Sequence, residues 1–451
     1  MMMIKKNIIG ALFALFALSN FAIAQTLDEV LAITYENNHE LKSKREDLKV
    51  ADEEIMLALS TFLPQINAGR SISDSDSKPV ASQGQSPPIA QSRSQIASAI
   101  VIKQNLFNSG GSIAGIRRAK YTIEQARATL LYYEQQILLS AVESYLGVAK
   151  AQMQLDIYEK KVIALRKSLE AEEARYKVGE KTKTDVAQAR SSYSNSIAAR
   201  IKARGDLVSA KANFFSVVTV EPEHVKLPLV SMSVPQSVDE ATDIALKKNP
   251  VLIASEQKYK AADQSIEVER TSLLPSVDLS YTWRKNSGDI GSPDSIDNIT
   301  ALTLNVPVFN SSQWSKLRLS KRTAQSSKYV ALRSKQEIIE KAVQSWQNYE
   351  ISKAAMHAYE DAVKSAEIAY EGMKEEEKAG TRSTVDVIFA QNGYFDADIN
   401  LVSAKVTNIS TRYKLKSAIG ELTAKELALK VKFYDPLQNY NKIRWELIGA
   451  F

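Results

Sequence analysis

Two short stretches around a glycine carry the residues whose types and spacing could do specific chemistry. "YKVGEKTKTDV" begins at Tyr176, and much of it recurs in "EKAGTRSTVDV", which begins at Glu377. The offset is 201 positions, as from Gly179 to Gly380. Glycine is typical of a helix end, and a hydroxyl or aspartate shortly after it is typical of a helix start, so Thr184 or Asp185 is expected to cap a helix. Such groups make polar contacts and do not break bonds.

Residues for catalysis or metal binding are scarce. The sequence has three histidines, His39, His224 and His357, without an HExxH spacing or a glycine-rich phosphate loop. It has no cysteine, which excludes disulfides, thiol catalysis and cysteine-bound metals. The net charge of +6 is spread evenly, which is not the footprint of a nucleic-acid-binding surface. We expect no enzymatic activity, no metal, no cofactor and no nucleic-acid partner.

The N-terminus predicts export from the cytoplasm. Lys5 and Lys6 precede an apolar run that ends in Ala22-Ile23-Ala24. This is the pattern of a signal peptide, assigned to residues 1–24. No later stretch has the ~18 consecutive apolar residues that a spanning helix needs. Any membrane crossing is therefore expected to be made of strands.

The mature chain is two copies of one unit. "TLDEVLAITYENNHEL" from Thr26 matches "SVDEATDIALKKNPVL" from Ser237 at an offset of 211, and "LFNSG" from Leu106 matches "VFNSS" from Val308 at an offset of 202. The change of offset falls in a single loop, which is typical of a duplication. We divide the chain into a first repeat (25–219), an inter-repeat segment (220–236), a second repeat (237–424) and a C-terminal segment (425–451).

Each repeat predicts a helix, a β-hairpin and a long helical hairpin. A helix over 27–61 (238–272 in the second repeat) ends before a proline, which cannot continue it. Alternating residues then predict strands over 276–284 and 300–306, and weaker ones near 66–72 and over 95–104, separated by Ser/Gly/Pro/Asp-rich loops. Helices over 112–177 and 314–378 are each about 100 Å long at 1.5 Å per residue. Return helices are expected to end near Val218 and Leu422.

The strand count predicts an oligomer. Four strands per chain are too few for a membrane barrel, and an open sheet edge cannot face lipid. Two chains would give eight strands with a filled interior, whereas three would give twelve strands and room for a lumen. Polar Ser, Thr, Asp and Asn side chains on one face of the strands favour a wet passage. The apolar face predicted to contact lipid comprises Val277, Leu279, Tyr281, Trp283, Leu302 and Leu304.

The duplication, the paired turns and "YKLKSAIGEL" at 413–422 resemble the TolC outer-membrane efflux protein family. The resemblance covers nearly the whole mature chain. It implies an all-α-dominated α+β membrane protein: a trimeric, twelve-stranded outer-membrane β-barrel, continued by a long periplasmic α-helical barrel. It implies the exit duct of a tripartite efflux or type I secretion system, working with a periplasmic adaptor (membrane fusion protein) and an inner-membrane ABC or RND pump. Residues 221–235 and 425–451 would form an equatorial band.

The resemblance also implies roles for residues of the turns. Asp185 stands where an acidic residue latches to an arginine on a neighbouring hairpin, and Arg382 stands at that arginine position. Asp386 matches an aspartate that lines a constriction, and Phe389 replaces a second acidic ring of some members. Helix capping is the alternative role for Asp185, and a plain surface position is the alternative for Arg382 and Asp386. The positions that match the adaptor-docking grooves are Val178, Gly179, Glu180, Ala379, Gly380 and Thr381, whose alternative role is to make tight turns.

A periplasmic coiled-coil scaffold or adaptor is the alternative function. It accounts for the signal peptide and the long helices, but it leaves the two alternating hairpins unexplained. The sequence does not separate efflux of small molecules from protein secretion, and it leaves the pump, the resting state and the role of the C-terminal segment open.

Overall fold

The computed structural model describes residues 26–77, 91–223, 225–228, 232–288, 294–444 and 446. The predicted signal peptide (1–24) and the terminal Phe451 lie outside the described residues. The chain divides into two compact units. Of the described residues, unit 1 takes those within 1–42, 133–249 and 339–433, and unit 2 takes those within 43–132, 250–338 and 434–451. Each unit therefore takes segments from both repeats.

The same order of elements occurs twice, which confirms the predicted helix, β-hairpin and helical hairpin. The long helices α3 and α7 have 67 and 68 residues, without a break. The first repeat contains α1 Leu27–Asn37, α2 His39–Leu59, a 3-10 turn Ser60–Phe62, β1 Gln65–Ser77, β2 Gln91–Phe107, α3 Gly111–Lys177 and α4 Lys183–Val218. The second contains α5 Val238–Lys248, α6 Pro250–Thr271, β3 Ser276–Gly288, β4 Ser295–Asn305, α7 Ser311–Lys378 and α8 Thr384–Ala418, followed by α9 Gln438–Ile443.

The prediction of one continuous helix at the start of each repeat was wrong. The helix is interrupted at Asn38 in the first repeat and at Asn249 in the second. The amide Nδ2 of Asn38 donates to the carbonyl of Val217 (2.9 Å), and that of Asn249 donates to the carbonyl of Ala418 (2.8 Å). A short polar side chain that bonds to backbone elsewhere offers an alternative to the helical ladder. Both interruptions tie the start of a repeat to the end of its return helix.

Each return helix stops at a left-handed residue. Thr219 (φ 68°) caps the end of α4, and the equivalent residue after α8 is Gly420 (φ 87°). α8 therefore ends at Ala418 and not near Leu422 as predicted. A Cβ on Gly420 would lie 2.5 Å from the backbone carbonyl oxygen of Lys248. Glycine is thus required here by close backbone approach as well as by φ.

The four strands form one antiparallel sheet in the order β1-β2-β3-β4. All four predicted strands are confirmed, and each is longer than predicted. β1 and β3 extend to Ser77 and Gly288, and β4 starts at Ser295, so they include residues that were expected to lie in the loops. The remaining loop residues, 78–90 and 289–293, lie outside the described residues.

The sheet has an apolar and a polar face, as the alternation predicted. Register places Ile102 opposite Tyr281 and Ile100 opposite Trp283, on the face of the predicted lipid contacts. Leu279 pairs with Leu302, and Val277 with Leu304. The other face carries mainly small and polar residues, including Asn67, Gly69, Ala99, Thr282, Arg284 and Asp297, with Val101 and Ile299 as apolar exceptions.

Buried aliphatic side chains hold the helical part of unit 2 together. Ile55, Ala119, Ile123 and Ile443 form one cluster, which includes a residue of α9. Beside it Asn439 donates to the buried Asp52 carboxylate (3.0 Å). These contacts fix the C-terminal helix on its neighbours.

Among the described residues, no helix is both long enough and apolar enough to cross a membrane.

Candidate functional site

The two predicted turns share one backbone geometry. In the first, Gly179 (φ 81°) donates to the carbonyl of Tyr176 and the next amide donates to the carbonyl of Arg175, both at 3.0 Å. In the second, Gly380 (φ 79°) and the residue after it repeat both bonds at 2.9 and 3.0 Å. This is a Schellman motif with glycine at the left-handed position. The duplicated letters therefore encode a duplicated helix end.

Both aspartates of the turns complete capping boxes. Asp185 Oδ2 accepts from the amide of Thr182 (2.9 Å), and the Thr182 hydroxyl accepts from the amide of Asp185 (3.2 Å). Ser383 and Asp386 repeat the arrangement. The expectation that Thr184 or Asp185 is the N-cap was wrong: Thr182 is the N-cap, and Asp185 lies three residues into the pattern. Capping thus uses both carboxylates without consuming all of their acceptor sites.

The same hydrogen bonds keep the two aspartates ionised. Bonds from the backbone and hydroxyl of Thr182 lower the pKa of Asp185, and bonds from the hydroxyl and backbone of Ser383 lower the pKa of Asp386. Asp386 is exposed and Asp185 is half-buried. Each turn therefore presents a negative charge to its surroundings at neutral pH.

Arg382 does not reach Asp185 within one chain. Its Nε donates to Glu376 Oε2 (2.9 Å) across its own turn, and that contact raises the pKa of Arg382. Both side chains are about half exposed, so the pair is open to exchange with other partners. Phe389 is 81% exposed, which is unusual for a large aromatic side chain. The six predicted docking residues are all exposed as well.

A cluster that the sequence did not predict joins the two hairpins of one chain. We name it the clasp: Glu172, Arg175 and Lys181 from the first hairpin, and Glu377 and Thr384 from the second. Glu377 Oε1 accepts from Arg175 Nη1 and from Lys181 Nζ (3.2 Å). Lys181 Nζ also donates to the Thr384 hydroxyl (2.6 Å). Two cations of one hairpin therefore converge on one carboxylate of the other.

The clasp is largely shielded from water. The side chain of Glu377 is 12% exposed and that of Glu172 is 3% exposed. The Thr384 hydroxyl donates to Glu172 Oε1 (3.0 Å). Burial acts to raise the pKa of Glu377, but hydrogen bonds from Arg175 and Lys181 outweigh it, so this pKa is lowered. The charged form of Glu377 is the one that the clasp stabilises.

Apolar packing backs the clasp on the side away from the turns. Leu165, Leu169, Ala189 and Ile388 form a buried cluster that includes residues of both hairpins. This apolar layer keeps water away from one side of the clasp, and the lower local dielectric strengthens the attraction between its charged groups.

Comparison of the two repeats is the signal that could have revealed the clasp. Position 175 is arginine in the first repeat, and its equivalent, Glu376, has the opposite charge. Tyr176 is likewise replaced by Glu377. A change of charge within otherwise matching turns indicates that the two turns face different neighbours.

Metal ligation has no support in the described part of the chain, where no group of three or more His, Cys, Asp or Glu side chains could hold an ion.

Comparisons with known proteins agree with this architecture. Residues 30–218 and 241–421 match the family model described as outer membrane efflux protein. Outer membrane efflux protein BepC of Brucella suis is 30% identical over 433 residues, which are 95% of this chain and 92% of that protein. Outer membrane protein TolC of Vibrio cholerae is 25% identical over 92% of this chain and 95% of that protein.

A solved structure supports the same fold. The CmeC outer membrane channel of Campylobacter jejuni aligns with a TM-score of 0.78 at 15% identity, over 94% of this chain and 90% of that one. The family model matches each repeat separately, as the duplication requires. The chain therefore belongs to the outer membrane efflux protein family, and it is a channel protein of the outer membrane, not an enzyme.

Proposed function

We propose that three copies of the chain form an exit duct through the outer membrane, closed at its periplasmic end by the two hairpin turns. The observation that carries the proposal is the four-stranded amphipathic sheet, whose outer strands β1 and β4 each have a single partner among the described residues. An open edge is not tolerated in lipid, so copies must complete the sheet. Three copies leave room for a lumen lined by the polar face, and the predicted lipid contacts face outward.

The gate would combine contacts within and between chains. The clasp fixes one hairpin of a chain to the other, whereas Asp185 and Arg382 would pair between neighbouring chains, with Arg382 exchanging its exposed contact to Glu376 for Asp185. Asp386 and Phe389, both exposed, would line the narrow entrance. Exposed ion pairs contribute only ~0–1 kcal/mol each, so the contacts between chains can yield to a docked partner.

The partners that fit this duct are a periplasmic adaptor and an inner-membrane ABC or RND pump. The exposed turn residues 178–180 and 379–381 would receive the tip of an adaptor hairpin. The small side chains of Ala379 and Thr381 and the open space around Gly179 and Gly380 leave room for close approach. The pump then decides the cargo, whether small molecules or secreted protein.

Fractionation and conductance test the proposal together. The mature protein should require detergent for release from the outer-membrane fraction and should change its gel mobility on heating. Purified protein should give discrete current steps in planar bilayers. Recovery of all the protein in the soluble periplasm, without current steps, would instead support a scaffold or adaptor.

Asp185 offers a test that separates a latch from a cap. Asp185→Asn keeps an oxygen that can accept from Thr182 but removes the charge, and Arg382→Gln removes the opposite charge. If the two pair between chains, each variant should raise single-channel conductance, and the double variant should add little more. Glu376→Gln, which only frees Arg382 from its own turn, should leave conductance near that of the wild type. If conductance rises for Asp185→Ala but not for Asp185→Asn, the charge of Asp185 is not needed, and the residue acts only in capping its helix.

A further inference from the structure

The two β-hairpins of the chain match in the length and start of their first strands and in the register of their strand pairs. β1 and β3 both have 13 residues, and each starts directly after a proline, Pro64 or Pro275. Gln65 pairs with Lys103 in the first hairpin, and Ser276 pairs with Asn305 in the second. The offsets between these pairs are 211 and 202, the same as in the sequence repeats. The second hairpin therefore reproduces the first in register as well as in sequence.

The contact between the hairpins can serve as a pattern for a contact between chains. β2, the last strand of the first hairpin, pairs with β3, the first strand of the second. The same offsets carry β2 onto β4 and β3 onto β1. We propose that β4 pairs with β1 of a second copy of this chain in the register of β2 with β3, an inference that rests on the proposed oligomeric duct.

This register assigns specific residue pairs between β4 of one copy and β1 of the second copy. Lys103 opposite Ser280 becomes Asn305 opposite Gly69 of the second copy. Ile100 opposite Trp283 becomes Leu302 opposite Ile72 of the second copy, by the same offsets.

The register keeps each face of the sheet continuous. Leu302 and Ile72, each 68% exposed in the single chain, both lie on the apolar face. Asn305 and Gly69 both lie on the polar face. A slip by one residue would place apolar side chains beside polar ones along the whole joint.

The ends of the strands support the same joint. β2 continues past Lys103 to Phe107, where β3 is the one strand of the described residues that pairs with it. β4 stops at Asn305, the equivalent of Lys103, where its own partner ends. The residues that follow include Phe309, which is 81% exposed. In the proposed joint Phe309 takes the place of Phe107 and lies against Ile66 of the second copy, itself 66% exposed.

Smaller features of the joint carry over in part. The Ser109 hydroxyl donates to the carbonyl of Pro275 (2.7 Å), and the equivalents are Ser311 and Pro64 of the second copy. The register shift between Asn105 and Phe107 falls at Pro307, and bulges are where a strand admits proline. Pro307 lacks the amide group with which Asn105 bonds Asp278 (2.8 Å). The joint between copies would therefore lack a counterpart of this hydrogen bond.

Disulfide trapping tests the register directly, because the chain has no cysteine of its own. We would introduce Asn305→Cys with Gly69→Cys, where a side chain at position 69 meets open space. Leu302→Cys with Ile72→Cys is a second pair on the opposite face. Mild oxidation in the outer membrane should convert each double variant into covalent dimers and trimers on non-reducing gels. Each single variant should stay monomeric.

A slipped pair provides the matched control. Asn305→Cys with Ser71→Cys keeps the same face but moves the register by two residues, and it should crosslink several-fold less. Equal or greater crosslinking of the slipped pair, or a disulfide within one chain, would overturn the register. If the register fails in this way, an amine-reactive crosslinker applied to the cysteine-free protein should still trap trimers. Trapped trimers would leave the proposed oligomeric duct standing. Loss of those trimers too would overturn both.

Discussion

Replacing Glu377 by glutamine should raise the conductance of the channel in a planar bilayer. Glutamine keeps the shape of the side chain but removes the charge on which Arg175 and Lys181 converge. The two cations are then left beside each other at a site that is mostly shielded from water. The two hairpins of one chain lose their strongest polar link near the turns, and the closed tip loses stability.

The expected effect is large because the pair is partly buried. Removal of one partner of a buried ion pair typically costs ~3–5 kcal/mol, and exposed pairs cost ~0–1 kcal/mol. Arg175 is 38% exposed, so we expect an intermediate loss of about 1–3 kcal/mol per chain. Each ~1.4 kcal/mol changes the ratio of closed to open tips about tenfold.

Single-channel recording measures this effect, with Glu375→Gln as the matched control. Glu375 lies on the same helix but is exposed and pairs only with Lys378 among the described residues. The control should therefore conduct like the wild type. Equal conductance of Glu377→Gln and the wild type would show that the clasp does not hold the tip closed.

Acid should have the same effect as the substitution. The pKa of Glu377 lies below its ordinary value of 4.5, so the contribution of the clasp is present above pH 4.5 and is lost as pH falls through the lowered pKa. Wild-type conductance should therefore rise on acidification. Asp185 and Asp386 also have lowered pKa values. The contribution of the clasp is the difference between the acid-induced rise in conductance of the wild type and that of Glu377→Gln.

Replacing Gly420 by alanine should strongly destabilise unit 1. The added Cβ would lie 2.5 and 2.6 Å from the carbonyl oxygen and carbon of Lys248. These are backbone atoms, which cannot rotate out of the way. Asn249, the next residue, is held by its hydrogen bond to Ala418, so the neighbouring segment is also fixed. We expect a loss of about 3 kcal/mol or more, from the left-handed φ and overpacking together.

Gly380→Ala separates the two causes. Gly380 has nearly the same φ, 79°, but nothing lies within 4 Å of its Cβ position. It should lose only the ~1–2 kcal/mol of the left-handed conformation. Thr219, with φ 68° at the position equivalent to Gly420, shows that the fold accepts a side chain in this conformation. Thermal unfolding followed by circular dichroism should rank the wild type above Gly380→Ala and Gly380→Ala well above Gly420→Ala. Similar curves for the two variants would remove close contact as the cause.

Sequence patterns predicted most of the fold because the chain repeats itself. Alternation identified β3 and β4 clearly, and the offset carried the interpretation to the weaker β1 and β2. The breaks at Asn38 and Asn249 were missed because asparagine is tolerated inside helices, although Pro250 was a signal of a helix start. Strand ends were missed because the Ser and Asp residues at 73–77 favour loops by composition, whereas pairing in the sheet overrides that preference.

The clasp could not be predicted from either hairpin alone. Arg175 and Glu377 are 202 positions apart, and their contact depends on how two long helical hairpins pack. The individual turns were readable since a Schellman motif and a capping box are local. The charged residues beside the turns find their partners only when the two hairpins pack together.

The mass of the intact particle extracted from the outer membrane tests the central claim most directly. Native mass spectrometry in detergent should give three mature chains per particle, and the same particles should carry the current in bilayers. A particle of one chain that remains folded in buffer without detergent would contradict the account.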